Sequence, residues 1–207
     1  NIQIVTPDIN ESESLFTVRN GKIIYALAAI KGVGTAATDA IVAEREAHGK
    51  FKNLTDFAKR CSPIINKRIL EAFAKVGVLD CLEKNRALIF MNADAILAYA
   101  SKSRESANSL SLFANTTEDD VSEDRLLMDL PNTKPWTFAQ RLENELSALG
   151  FYISAHPLDQ YKHLIERYNL TTSVSLQSTG DRKPVQIAVN VNSFSRRKTK
   201  TGKDMLT

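Results

Sequence analysis

The stretch Leu27-Ala28-Ala29-Ile30-Lys31-Gly32-Val33-Gly34-Thr35-Ala36-Ala37-Thr38-Asp39-Ala40-Ile41 decides how this chain is read. An apolar lead-in meets Gly-Val-Gly, and a helix opens at once. Two glycines one residue apart let the backbone turn tightly and leave no side chain to fend off a ligand. The amides of Val33, Gly34 and Thr35 are then expected at a helix N-terminus, unpaired and positively polarised, which is a ready phosphate site. Lys31 adds a charge and the Thr35 hydroxyl a donor. A purely structural tight turn accounts for the two glycines equally well.

The spacing matches neither the Walker A loop GxxxxGK[ST] nor the dinucleotide fingerprint GxGxxG, because Ala37 replaces the third glycine. The longer pattern hxxhxGhGxxxAxxh discriminates better. Leu27, Ile30, Gly32, Val33, Gly34, Ala37, Ala40 and Ile41 fit or closely approach it. It resembles a helix-hairpin-helix, a module that holds a DNA backbone without reading its sequence. Residues 54–77 repeat the proportions with Ser62-Pro63-Ile64-Ile65-Asn66 in place of the glycines. They resemble a degenerate partner that packs on the first unit and lends Lys67 and Arg68.

Before this element, Ile2–Val5, Leu15–Val18 and Ile23–Leu27 are short β-type runs, and Asn20-Gly21 is a strong hairpin cue. After it, helices are predicted over Thr35–Ala47, Leu54–Cys61 behind an Asn53 cap, and Asn66–Val76. A longer one from Glu83 to Ser103 buries Leu88, Met91, Ala95 and Tyr99. Residues 101–132 turn polar, as a connector would, apart from one apolar island at Leu110–Phe113. A helical pair follows: one helix runs from Trp136 through Leu142, Leu146 and Leu149, the other follows Pro157. His156, ahead of that proline, reads as a helix-entry residue. Trp136 reads as a core anchor in preference to a base-stacking platform. From residue 171 the period becomes two, and Val185–Val191 alternates as a half-buried strand. Arg196–Lys203 is a basic turn, and Met205-Leu206 begins another strand.

The fold class is therefore mainly α, α+β overall. It comprises a tandem helix-hairpin-helix with short N-terminal strands, a helical pair and a truncated OB-type β-domain. The divisions are 1–27, 28–100, 101–132, 133–170 and 171–207.

Charge is uneven. Residues 21–75 carry ten Lys/Arg against five Asp/Glu, residues 118–130 six acids against Arg125, and residues 181–207 seven bases against two acids. Two basic blocks around an acidic one point to two polyanion-facing surfaces, although ordinary solvated faces give the same counts. No apolar run is long enough for a membrane span. Cys61 and Cys81 lack a CxxC and have only three histidines beside them, so reduced thiols are expected in place of a zinc site.

Several blocks in one order carry a family resemblance. They are Pro7-Asp8-Ile9-Asn10 with Ser14 and Phe16, Ala29–Gly34, and Gly49-Lys50-Phe51 with Asp56-Phe57 and Arg60. Asn66-Lys67-Arg68 with Glu71 and Gly77, Leu149–Asp159 and Lys198–Lys203 complete the set. Together they resemble the α subunit of bacterial DNA polymerase III, the C-family replicative polymerase, over nearly the whole chain. The resemblance implies that residues 1–27 end the fingers region and that 28–100 grip duplex DNA behind the active site. Residues 171–207 would open an OB domain facing single-stranded template, with Arg196, Arg197, Lys198, Lys200 and Lys203 as its basic contacts. It also implies a clamp-binding peptide. Ser109-Leu110-Ser111-Leu112-Phe113 approaches the family's Gln-Leu-Ser/Asp-Leu-Phe pattern with Ser for Gln. An apolar patch folding back on its own domain is the other reading, and the polar surroundings favour the docking peptide.

Nucleotide addition uses carboxylates that hold two divalent metals. No paired Asp/Glu stands on a predicted strand here, so catalytic residues and a metal site are expected to lie elsewhere in a longer, Mg²⁺-dependent parent. The start at Asn1 and the cut β-domain read as the inside of a longer chain. The expected partners are double-stranded DNA, single-stranded template, the sliding clamp and other replicative holoenzyme subunits, in the bacterial cytoplasm at the nucleoid. Two alternatives stand. One is a free-standing helix-hairpin-helix/OB adaptor of repair or recombination. The other, a phosphate-binding metabolic enzyme, lacks a general base near the glycines.

Overall fold

The computed structural model describes residues 3–110, 130–171, 176, 184–191, 195–198 and 204–206. They fall into two compact units, Asn1–Ser154 and Ala155–Thr207.

In the first unit, strands β1 (Gln3–Val5), β2 (Thr17–Arg19) and β3 (Lys22–Ile24) form a sheet in the order β1-β3-β2. Strand β3 runs parallel to β1 and antiparallel to β2. Asn20 and Gly21 both take positive φ, 53° and 72°. This is the primed hairpin geometry, whose twist matches that of paired strands.

A single 3-10 turn, Leu27–Ala29, leads into α1 (Thr35–His48), α2 (Leu54–Cys61) and α3 (Lys67–Val76). The Asn53 side chain accepts the Asp56 amide at 2.8 Å, and that of Asn66 accepts the Ile69 amide at 3.0 Å. Each cap satisfies one orphan donor of its helix. At its other end α3 closes on Gly77, which is left-handed at φ 85°. Leu27, Ile30, Ile41, Leu54, Phe57, Leu70 and Phe73 are fully buried in one core that serves both hairpin units. Transfer of such side chains out of water, about 1.5–3 kcal/mol each, outweighs the weak intrinsic stability of helices this short.

The N-terminal segment shares this unit. Ile9 is fully buried, and its amide donates to the Val78 carbonyl at 2.9 Å. Arg45, buried on α1, donates to the carbonyls of Ile9 (3.0 Å) and Ser12 (2.6 Å) and to the Glu13 carboxylate (3.0 Å).

One predicted helix is two. In place of a continuous Glu83–Ser103, α4 (Arg86–Met91) and α5 (Ala93–Leu110) meet at Asn92. The buried Asn92 side chain donates to the Leu88 carbonyl (2.9 Å) and to Thr133 Oγ1 (3.3 Å), competing with the helical ladder. The bend also changes the buried face. Ile89, Ala93, Ile96 and Ala100 face the core, whereas Met91 and Ala95, expected inside, are exposed. Trp136 is half-buried against Phe90, ring centroids 5.5 Å apart. Helix α6 (Phe138–Leu149) starts at a Thr137–Gln140 capping box and ends at left-handed Gly150. Its Leu142, Ala148 and Leu149 are buried.

In the second unit, a 3-10 turn over Pro157–Tyr161 precedes α7 (Lys162–Arg167). His156 starts it as expected: its Nδ1 accepts the Leu158 amide at 3.2 Å, and its own amide donates to Asp159 Oδ2 at 2.7 Å. Strands β4 (Arg196–Lys198) and β5 (Asp204–Leu206) pair antiparallel. Residues 184–191 form no ladder among the described residues, and Val185, Ile187, Val189 and Val191 are exposed. The alternation was expected to give a half-buried strand. An apolar face is buried only by an opposing layer, and none is present among the described residues.

Candidate nucleic-acid interface

Ile30–Val33 forms the turn that joins the two arms of the first hairpin. The Val33 amide donates to the Ile30 carbonyl at 3.1 Å, and Gly32 in between sits at φ 89°. A left-handed third residue is what a type II turn requires, and only glycine takes it without strain. Val33 is buried as well. Its amide is therefore spoken for, contrary to the expectation that it would be free for a phosphate.

The free donors lie one residue further on. The first helical bond of α1 runs from the Thr38 amide to the Gly34 carbonyl at 3.2 Å. No side chain caps Gly34. The amides of Gly34, Thr35, Ala36 and Ala37 find no acceptor among the described residues, and Gly34–Ala36 are exposed. Helices α2 and α3, by contrast, carry asparagine caps. Donors of this kind at a helix start favour an anion. Gly34 adds a second clue. Its φ of −89° is open to any residue, and a Cβ there would meet nothing within 4 Å. The fold itself does not need that glycine.

The basic residues sort by partner. Lys67 donates to Asp94 at 2.6 Å, which raises its pKa through that hydrogen bond. Arg60 is held by Glu44 and Asp56, Arg45 by Glu13, and Lys50 by Glu11. Lys31 and Arg68 are exposed and form no ion pair among the described residues. Arg68 lies over the turn, its Nε where a Cβ on Gly32 would come within 2.8 Å. The two hairpin units thus meet at the turn, with Arg68 over Gly32 and Lys67 turned to a carboxylate. Lys31 is anchored through its backbone, its amide donating to the Ala148 carbonyl of α6 at 3.0 Å.

The C-terminal basic cluster is less uniform. Arg196 pairs with Asp204 at 2.7 Å; Arg197 and Lys198 are exposed. Strand geometry puts Arg196 and Lys198 on one face and Arg197 on the other. Lys200 and Lys203 lie outside the described residues, as do Ser111, Leu112 and Phe113 of the expected clamp peptide. Its first two residues, Ser109 and Leu110, end α5.

Three buried charges were missed by the sequence reading. Arg45, Arg86 and Glu145 stand at core-facing helical spacing beside Ile41, Ile89 and Leu142, and that spacing is the signal. Arg86 is clasped by Asp80 (2.7–3.1 Å) and donates to Glu145 Oε1 at 3.1 Å. The carboxylates raise its pKa against the opposing effect of burial. Both cysteines are free. No group of three His, Cys, Asp or Glu converges as a metal site among the described residues, and no described helix is long and apolar enough to cross a membrane.

An uncapped helix start behind a glycine turn, buttressed by a second helical pair with asparagine caps and no glycine in its turn, defines a helix-hairpin-helix protein. The family model of that motif matches residues 1–89. The relatives narrow this further. The DNA polymerase III α subunit of Neisseria meningitidis serogroup B is 40% identical over 162 residues, 77% of this chain and 14% of the relative. That of Thermus aquaticus is 36% identical over 168 residues, 80% of this chain and 13% of the relative. That of Pseudomonas aeruginosa is 31% identical, covering 95% of this chain and 18% of the relative. The chain belongs, as a segment, to the DNA polymerase III α subunit family, and it spans about one seventh of the length of these relatives.

Proposed function

We propose that the chain is the duplex-gripping, non-catalytic part of a replicative DNA polymerase α subunit. The observation that supports this is the open start of α1. Among the described residues the amides of Gly34–Ala37 have no acceptor and Lys31 and Arg68 pair with no carboxylate, Arg68 lying over the nearby Gly32. Amides and two cations suit the phosphodiester backbone, and nothing in the group reads a base edge. Binding is then sequence-indifferent and driven by counterion release.

Family membership extends the proposal. Ser109–Phe113 docks the sliding clamp, keeping the polymerase on its template. The basic stretch of residues 196–203 tracks single-stranded template as part of an OB-type domain. Nucleotide addition, with its Mg²⁺, belongs to other parts of such a subunit, which works with the remaining holoenzyme subunits in the cytoplasm at the nucleoid. The test is titration of unrelated duplexes of equal length at several salt concentrations. Equal affinities with a steep salt dependence are expected. Strong preference for one sequence, or salt-independent binding, removes the proposal.

A further inference from the structure

We infer that helix α6 holds the hairpin in its binding geometry, with buried Glu145 as a positioning residue that never touches DNA. This rests on reading the Gly34–Ala37 amides, with Lys31 and Arg68, as the phosphate grip.

The contacts close a ring around the turn. Arg68, in the first turn of α3, covers Gly32. At the other end of α3, Gly77 is covered by Arg86, whose Nη2 would lie 2.2 Å from a Cβ placed there. Arg86 reaches Glu145 Oε1 at 3.1 Å. Three residues on from Glu145, the Ala148 carbonyl accepts the Lys31 amide at 3.0 Å. Lys31 and Gly32 are neighbours, so the ring grips the turn at two successive residues.

Glu145 is fully buried, and both its oxygens are engaged, Oε2 by the Ser154 amide at 3.2 Å. A buried carboxylate is costly unless each oxygen finds a donor, so this one fixes the last turn of α6 rather than decorating it. That turn carries the carbonyls left over at a helix end, and Lys31 takes one of them. A tilt of α6 therefore rotates the Ile30–Lys31 peptide at the start of the turn and re-aims the amides of Gly34–Ala37. Hydrogen bonds weaken steeply with angle, so a small re-aiming is felt at a phosphate. Helix α6 lies beyond residues 1–89, so the grip in this chain has a support outside the matched motif.

Glu145→Gln, made in the whole chain, keeps the shape and removes the charge facing Arg86. It is expected to move the amide resonances of Lys31–Thr35 in the free protein. It should also weaken duplex binding at fixed salt roughly threefold to tenfold. Phe57→Leu, a core truncation in α2, is the control: it lowers Tm but leaves those resonances and the affinity unchanged. If Glu145→Gln lowers Tm in the same way and leaves both at wild-type values, α6 only supports the fold and the inference is overturned. Should Glu145→Gln not fold, hydrogen exchange in the wild type decides. A Lys31 amide as protected as those of α6 supports the ring, and one exchanging at a free-loop rate overturns it. If the wild type binds no duplex while the resonances still shift, the phosphate reading fails and the coupling to α6 stands.

Discussion

The guanidinium of Arg68 fills the space that a side chain on Gly32 would need, with Nε 2.8 Å from the position of its Cβ. Two residues away, the space beside Gly34 is open. The two glycines of one motif therefore serve different masters. Gly32 answers to the fold, through a φ of 89° and the arginine above it, and Gly34 to whatever approaches from outside.

That division predicts opposite phenotypes. Gly32→Ala forces a β-carbon into left-handed backbone at a cost of about 1–2 kcal/mol and displaces Arg68. Its Tm should fall. Gly34→Ala sits at an ordinary φ and should leave stability within about 1 kcal/mol of wild type. It should nonetheless weaken duplex binding, because its methyl stands where a phosphate must come close. Thermal melts and anisotropy titrations of both variants separate the roles. A Gly34→Ala protein that binds normally would dismiss the open space as idle.

How the cations divide can be read from salt dependence. Each phosphate neutralised contributes a slope of about −0.9 in log affinity against log salt. Lys31→Ala and Arg68→Ala should each make the slope shallower by about one unit. Lys67→Ala should leave it nearly unchanged, since that ammonium is already bound to Asp94. An unchanged slope in Lys31→Ala would place its charge away from DNA and leave only its backbone role.

Much of this arrangement is legible in the amino-acid sequence. The glycine pair, the Asn53 and Asn66 caps and the Gly77 stop are local signals, and local chemistry alone sets them. The Ile69, Leu70, Phe73 periodicity names a buried face that no other spacing would satisfy. The break at Asn92 was not legible, because it depends on Thr133, far along the chain. Neither was the occupied Val33 amide, since the GVG pattern gives the turn but not which of its donors the turn itself consumes. The Arg86–Glu145 pair needs two helices to meet. A single chain position shows only a charge at an apolar spacing.

That pair makes its own prediction. Arg86→Met leaves Glu145 buried without its cation and should destabilise by about 3–5 kcal/mol. The double variant Arg86→Met, Glu145→Leu should recover most of this, because apolar side chains of similar volume replace a buried pair at little net cost. Urea melts of the single and double variants form the cycle. Additive losses would mean that the two residues act separately.

Burial pushes the Cys61 thiol up to about 12, with the nearby Glu44 carboxylate adding to it. The thiol of Cys81, an exposed residue, is pushed up to about 12 by partial desolvation of its sulfur and then by the Asp8 carboxylate, which accepts from it at 3.4 Å. Unfolding returns both to ordinary values near 9.0. The folded state thus holds these protons more tightly. The stability this contributes is complete below pH of about 9 and declines as pH rises towards 12. Cys61→Ala with Cys81→Ala should flatten the fall in urea midpoint over that window. At pH 8, a thiol reagent should reach Cys61 only as fast as the protein unfolds.

The proposed clamp-docking role of Ser109–Phe113 can be tested apart from DNA. Leu112 and Phe113 are the side chains that an apolar clamp pocket would bury, each contributing very roughly 1.5–3 kcal/mol. Ser109 stands where the family pattern has Gln, and the lost contact forgoes about 1 kcal/mol. Leu112→Ala with Phe113→Ala should therefore abolish capture by an immobilised clamp, while Ser109→Gln should tighten it up to about fivefold. Neither change touches Gly34–Ala37, Lys31 or Arg68, so duplex affinity should stay the same in both. Clamp capture that survives the double alanine change would leave this stretch as an apolar patch on its own domain. Loss of duplex binding along with capture would show that the peptide supports the fold instead.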